Sequence, residues 1–232
     1  MNEHIHRGRL PHWFVPGAAH FVTWRLAETL PIKAILRLRE KKAQLLKRPA
    51  QDRSIIEHHR RIHKLLFADY DRLLDTSSTR LWLRDAAAAT IIRDNLLHHD
   101  GQKYVLHAWC VMANHVHALF TPNISLPPHE AVIDDATIGE TADATSPLSS
   151  VMHSLKSYTA NQLNRLLNRS GQLWQHESYD HWIRDDEELE RVLLYIIWNP
   201  VKAGLVNRPE QWRWSSCYDR YQIDGDTTGW LA

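Results

Sequence analysis

Two apolar runs, Tyr104 to Met112 and His115 to Thr121, are separated by only Ala113-Asn114. A link that short closes an antiparallel pair through a tight turn, because parallel neighbours need a crossover of about a dozen residues. The other elements must be arranged around that hairpin. Ahead of it, Ala19-His20-Phe21-Val22-Thr23-Trp24-Arg25-Leu26 follows the turn pair Pro16-Gly17 and is rich in β-branched and aromatic residues, as a first strand would be. Behind it, Ser178 to Arg184 predicts a short further strand.

Helix signals fill the intervals. A basic segment after the first strand is helical by composition and broken at Pro49. Asp85 is placed to cap a helix running through Ala86-Ala87-Ala88-Ala89 to His99, with Gly101 as its stop. Ser146-Pro147 opens another in the favoured cap-then-proline order, continuing to about Asn168. Asp185-Asp186 caps the last, from Glu187 to Trp198, with acids where the macrodipole favours them; Pro200 is expected to stop it. This order contains a split βαβ pattern. The expected fold is α+β: a ferredoxin-like antiparallel sheet with helices packed on it, plus a helical insertion and a C-terminal extension. One domain is expected over 1–232, with the basic helical insertion at about 33–80, a surface loop at about 122–149 and a tail at about 207–232.

A chain of 232 residues buries a core unaided, and its two cysteines, Cys110 and Cys217, supply neither a disulfide framework nor a thiolate zinc set. The N-terminus lacks the apolar segment of a signal peptide, and no run approaches ~18 consecutive apolar residues. A cytoplasmic protein without membrane association is expected. The formal net charge of +1 argues against a uniformly basic nucleic-acid binder, yet eleven Lys or Arg against three acids fall between Lys33 and Lys64. That stretch reads equally as a phosphate-lining surface or as solvated helices.

His115 and His117 stand two apart in a strand, so both imidazoles reach one side of the sheet in a spacing that suits a divalent cation. With 16 histidines, roughly one such pair arises by accident. His4-Ile5-His6 is another, expected to be a flexible terminal pair without strand context. On the last helix, Leu189, Val192, Leu193, Ile196 and Ile197 form an apolar arc expected to face the sheet. Tyr195 lies roughly 120° from the arc's centre, on the flank of Glu188 and Asn199. By position alone it is a boundary aromatic with its hydroxyl in water, and Glu188 is a capping charge, with orientation of a water or a histidine the alternative.

The run from Tyr195 through Trp198-Asn199-Pro200-Val201-Lys202-Ala203-Gly204 to Val206 closely resembles the catalytic-helix signature of the insertion-sequence-200-like single-tyrosine HUH transposases, specifically the REP-associated tyrosine transposases. Asn114-His115-Val116-His117 is similar to that family's histidine–hydrophobic–histidine segment. Arg7-Gly8-Arg9-Leu10-Pro11-His12-Trp13, Leu155 to Asn161, Gly171 to Gln175, Glu177 to His181 and Trp212 to Ser216 resemble its other blocks in order. Ala113 departs from the proline many relatives carry, and the basic insertion and acidic loop are expansions.

The resemblance implies a divalent metal, Mg2+ or Mn2+, held by His115, His117 and Asn199, with Tyr195 as nucleophile. It implies cleavage and strand transfer of single-stranded DNA at hairpin-forming repetitive extragenic palindromes through a 5′-phosphotyrosine. Neutral imidazoles and an amide oxygen leave coordination open for phosphate oxygens, which suits phosphoryl transfer. No nucleotide cofactor is expected, since no Gly-rich phosphate loop occurs. DNA contacts are expected from Arg7, Arg9, Trp13, Arg25, Lys156 and Lys202. Trp212 and Trp214 are expected chiefly to pack the C-terminal segment, with base stacking the alternative. A monomer is favoured. The competing readings are a hairpin-binding protein without chemistry and a phosphodiesterase in which water attacks.

Overall fold

The computed structural model describes residues 4–5, 13–47, 55–124 and 146–225. Its main sheet has four antiparallel strands: β3 (His20–Arg25), β4 (Tyr104–Val111), β5 (His115–Pro122) and β6 (Tyr179–Trp182), in the order β4-β5-β3-β6. Two central strands flanked by the outer pair is the order a split βαβ repeat produces, so the expected α+β, ferredoxin-like architecture is the observed one.

The hairpin is closed as its two-residue link requires. Met112 donates its N–H to the His115 carbonyl at 2.9 Å, and the turn's carbonyls are taken up by neighbours: Asn114 accepts from Leu26 at 2.9 Å and Ala113 from Leu83 at 3.1 Å. A bulge between Leu106 and Ala108 shifts the β4–β5 register by one residue.

The described residues form six α-helices: α1 (Ile32–Leu46), α2 (Ile55–Thr76), α3 (Ala86–His99), α4 (Pro147–Leu166), α5 (Asp186–Lys202) and α6 (Ser216–Asp224). Asp85 and Ser146 cap α3 and α4 as their sequences predict, accepting from Ala88 and Ser149. Both helices pack on one sheet face, where Val22, Trp24, Trp109, Val111, Val116, Ala118 and Phe120 meet Ile92, Leu96, Val151, Leu155 and Leu163 in a continuous core. Side chains alternate along a strand, so Phe21, Thr23, Arg25, His115 and His117 occupy the other face, which α5 covers.

The described residues divide into two compact units: Met1–Ala27 with Trp82–Ala232, which holds the sheet, and Glu28–Leu81, which holds α1 and α2. Within the second, Asp69 of α2 pairs with Lys41 of α1 and with Arg72 at 3.0 Å, and the Thr29 carbonyl accepts from Ser77 and Thr79.

Two expectations are corrected. The last helix runs past Pro200 to Lys202; a proline so close to a helix end forfeits a single helical bond while the turn is completed by Ala203 donating to Asn199 and Leu205 to Pro200. His4 lies in strand after all, since β1 (His4–Ile5) pairs with β2 (Trp13–Phe14), whereas His6 lies outside the described residues. The C-terminal extension contains a helix, α6, capped by Ser215 accepting from Tyr218. Residues 125–145 of the expected surface loop lie outside the described residues. No described helix is long and apolar enough to cross a membrane.

Candidate active site

The pairing of β3 with β5 sets Arg25 opposite His115 and Thr23 opposite His117. Both histidines are buried, at 1% and 0% exposure, and their Nε2 atoms lie 3.0 Å apart. Each ring is held from behind through Nδ1: His115 by Asn114 Oδ1 at 2.6 Å, His117 by Thr23 Oγ1 at 2.7 Å. Two nitrogens aimed at one another at that range share either a proton or a cation.

Helix α5 brings Tyr195 onto this pair. The tyrosine ring meets His117 edge-on at 5.5 Å between centroids and Phe21 at 5.7 Å, while Phe21 stacks on His117 at 5.6 Å. Lys202 lies over the tyrosine ring, its Nζ 5.3 Å from the centroid. One turn beyond Tyr195, Asn199 is completely buried, and neither of its side-chain amide atoms has a hydrogen-bond partner among the described residues. A buried amide left unsatisfied is costly.

The face of α5 turned to the sheet therefore carries Glu188, Tyr195, Ile196 and Asn199, which corrects the expectation that Tyr195 lies off the sheet-facing arc with its hydroxyl in water. Hydrophobicity misplaces the face because the strands beneath are themselves polar there. Glu188 does more than cap. At 1% exposure it accepts from His181 Nε2 at 3.0 Å through one oxygen, and from the Arg184 backbone at 3.2 Å and guanidinium at 3.1 Å through the other. It thereby ties the first turns of α5 to β6.

The other expected DNA-contact residues are dispersed. Arg25 is buried on β3 and donates to the Leu26 carbonyl at 3.2 Å. Lys156 on α4 donates to the His176 carbonyl at 2.7 Å; burial, with the Arg25 charge adding to it and Glu177 opposing, pulls its ammonium down to about 8. Trp13 lies in β2, and Arg7 and Arg9 lie outside the described residues. Trp212 and Trp214 pack as expected: the Trp212 indole donates to the Val111 carbonyl at 3.0 Å, and Trp214 is buried against the core.

Sequence reasoning passed over Thr23, Asn114, Phe21 and His181. The available signal was the alternation Phe21, Thr23, Arg25 on one strand face, where an ordinary buried face would be aliphatic throughout.

No family model matches the chain. Over 53 residues it is 43% identical to a protein of Haemophilus influenzae (strain Rd) named "Putative REP-associated tyrosine transposase"; the match covers 23% of this chain, and the chain spans about 30% of that relative's length. A solved structure described as a REP-associated tyrosine transposase bound to a REP hairpin aligns with 92% of this chain and 84% of its own at 19% identity, with a TM-score of 0.45.

Proposed function

We propose that the chain is a REP-associated tyrosine transposase: an enzyme that cleaves and rejoins single-stranded DNA beside a hairpin through a covalent bond to Tyr195. The observation that carries this reading is the packing of the Tyr195 ring on His117, beside a second histidine whose Nε2 is 3.0 Å away. A tyrosine, two imidazoles and an orphaned amide have little reason to be buried together for stability alone.

The residues fit a divalent cation. Two ligands at a right angle about an ion, each about 2.1 Å from it, are about 3.0 Å apart, which is the separation of the two Nε2 atoms. The partnerless amide of Asn199 supplies an oxygen of the right chemistry one helical turn from Tyr195. In this reading His115, His117 and Asn199 hold Mg2+ or Mn2+, which when bound neutralises charge developing on the scissile phosphate.

Tyr195 is the nucleophile. Its Oη attacks phosphorus, the bond from phosphorus to the 3′-oxygen breaks, and the phenolic proton passes to solvent as the departing oxygen takes one up. The products are a 5′-phosphotyrosine and a free 3′-hydroxyl. A phenol with a pKa of about 10 is a better leaving group than an alcohol, so a DNA hydroxyl reverses the step and restores Tyr195 without ATP. In this reading Lys202, over the ring, Arg25, opposite His115 on β3, and Lys156 of α4 offer cations to the DNA backbone. Cytoplasmic, monomeric operation belongs to the same reading.

The test is incubation with end-labelled hairpin DNA carrying a single-stranded flank, with Mn2+. A denaturation-resistant adduct retaining the 5′-phosphate side supports strand transfer. Tight binding without cleavage supports the hairpin-binding alternative, and cleavage without adduct supports attack by water; either overturns the proposal.

A further inference from the structure

We infer that Trp198 is the stacking platform for an unpaired base adjoining the scissile phosphate, and that it selects single-stranded over paired DNA beside Tyr195. The inference rests on the transposase reading above. Trp24, Trp109, Trp174 and Trp214 are buried, as indoles mostly are. Trp198 is 44% exposed, and its indole makes no hydrogen bond or ring contact among the described residues. One exposed apolar side chain needs no explanation by itself, but the place of this one on α5 supplies one. At about 100° per residue, Trp198 stands about 60° round the helix from Tyr195, on the side away from the completely buried Ile196 and Asn199. Lys202 is one turn past Trp198, and its Nζ lies over the Tyr195 ring. One turn before Tyr195, the exposed Arg191 continues the same edge, bonded to Glu187 at 2.8 Å in a pair that solvent screens.

Arg191, Tyr195, Trp198 and Lys202 follow one another along α5 at intervals of four, three and four residues, so each borders the next on the helix surface. The solvent edge of the helix thus reads cation, phenol, indole, cation. Positive groups for phosphates and an aromatic face for a base are the two components of a single-strand site. A second protein chain seated on the indole would have to bury the two cations beside it, whereas a DNA strand answers both. Trp198 and Tyr195 differ by about 4.5 Å along the helix axis, so a strand with its phosphate at Tyr195 brings the neighbouring base to the indole. A base within a duplex is covered on both faces by its neighbours; an unpaired base has a face to offer. Stacking is indifferent to base identity, so Trp198 reads whether the flank is single-stranded rather than its sequence.

The experiment uses the full chain and hairpin DNA with a single-stranded flank, a paired flank or none, carrying 2-aminopurine at each position adjoining the cleavage point that the adduct maps. Trp198→Ala should weaken binding to the single-stranded flank about 5- to 150-fold and leave binding to the hairpin without a flank unchanged. Its preference for an unpaired over a paired flank should fall accordingly. Trp198→Phe should keep most of the affinity and Trp198→Leu little of it, which lost apolar area alone would not produce. In the wild type, 2-aminopurine emission at one adjoining position should be quenched on binding, and in Trp198→Ala it should not. Unchanged flank affinity in Trp198→Ala, a loss that is the same with and without the flank, or equal quenching in both proteins overturns the inference, while adduct formation by the wild type leaves the transposase reading standing. Self-association of the wild type that Trp198→Ala abolishes, with flank affinity unchanged, assigns the indole to a second copy and also overturns it. A wild type that forms no adduct overturns the transposase reading and this inference with it. If Trp198→Ala does not fold, quenching in the wild type and the affinity of Trp198→Leu decide the matter.

Discussion

Asn199 shows most clearly what this site gives up for its chemistry. A completely buried side-chain amide with both atoms lacking a described partner is a standing penalty of about 1–3 kcal/mol. Replacing it by the similarly sized Leu removes two unsatisfied polar atoms and adds apolar contact. Asn199→Leu is therefore expected to raise ion-free stability by about 1 kcal/mol in urea denaturation while abolishing Mn2+-dependent cleavage. A destabilised variant would mean that the amide is satisfied and is not reserved for a ligand. At this scale the sequence was partly legible. Tyr195 and the pair His115 and His117 stood out because their spacing and surrounding motif are local in the chain. Thr23 and Phe21 did not, because they lie over ninety residues from His117 in sequence and meet it only through strand register and ring packing.

At the scale of elements, caps and turns read well and the facing of α5 did not. Asp85, Ser146 and Asp185 each bond the backbone their position demands, since a cap is decided within four residues. Which side of α5 meets the sheet depends on what the sheet presents, and here it presents histidines, threonine and arginine. Burying Glu188 toward them requires a partner, and His181 and Arg184 provide it. Glu188→Ala would leave His181 and the Arg184 backbone without their acceptor and free the start of α5 from β6. It should cost about 2–3 kcal/mol of stability in urea denaturation, with part recovered in Glu188→Gln, which still accepts one bond. Equal stability of all three proteins would show that α5 is placed by its apolar contacts alone.

Across the whole molecule, charge is segregated where the total hides it. The formal net charge is +1, yet eleven cations against three acids between Lys33 and Lys64 give a local excess of eight, all of it within the span Glu28–Leu81. Lys33, Arg37 and Lys47 are exposed there. If this unit lines DNA phosphates, replacing those three by Gln should lower the slope of log K against log salt for hairpin binding by about 2. An unchanged slope assigns them to a solvated surface. The split βαβ order was legible because hairpin length and helix spacing restrict the topologies available, and the helical insertion expected at about 33–80 falls within the unit Glu28–Leu81.

The central claim is that Tyr195 becomes covalently joined to DNA at a centre built by His115, His117 and Asn199. Tryptic cleavage after Arg191 and Lys202 isolates a peptide, Val192 to Lys202, in which Tyr195 is the sole hydroxyl-bearing residue. Mass spectrometry of the protein trapped on hairpin DNA with Mn2+ should find a nucleotide-bearing phosphate on that peptide, absent in Tyr195→Phe and in His117→Ala. A phosphate on any other peptide, or an adduct that persists in Tyr195→Phe, would contradict the account.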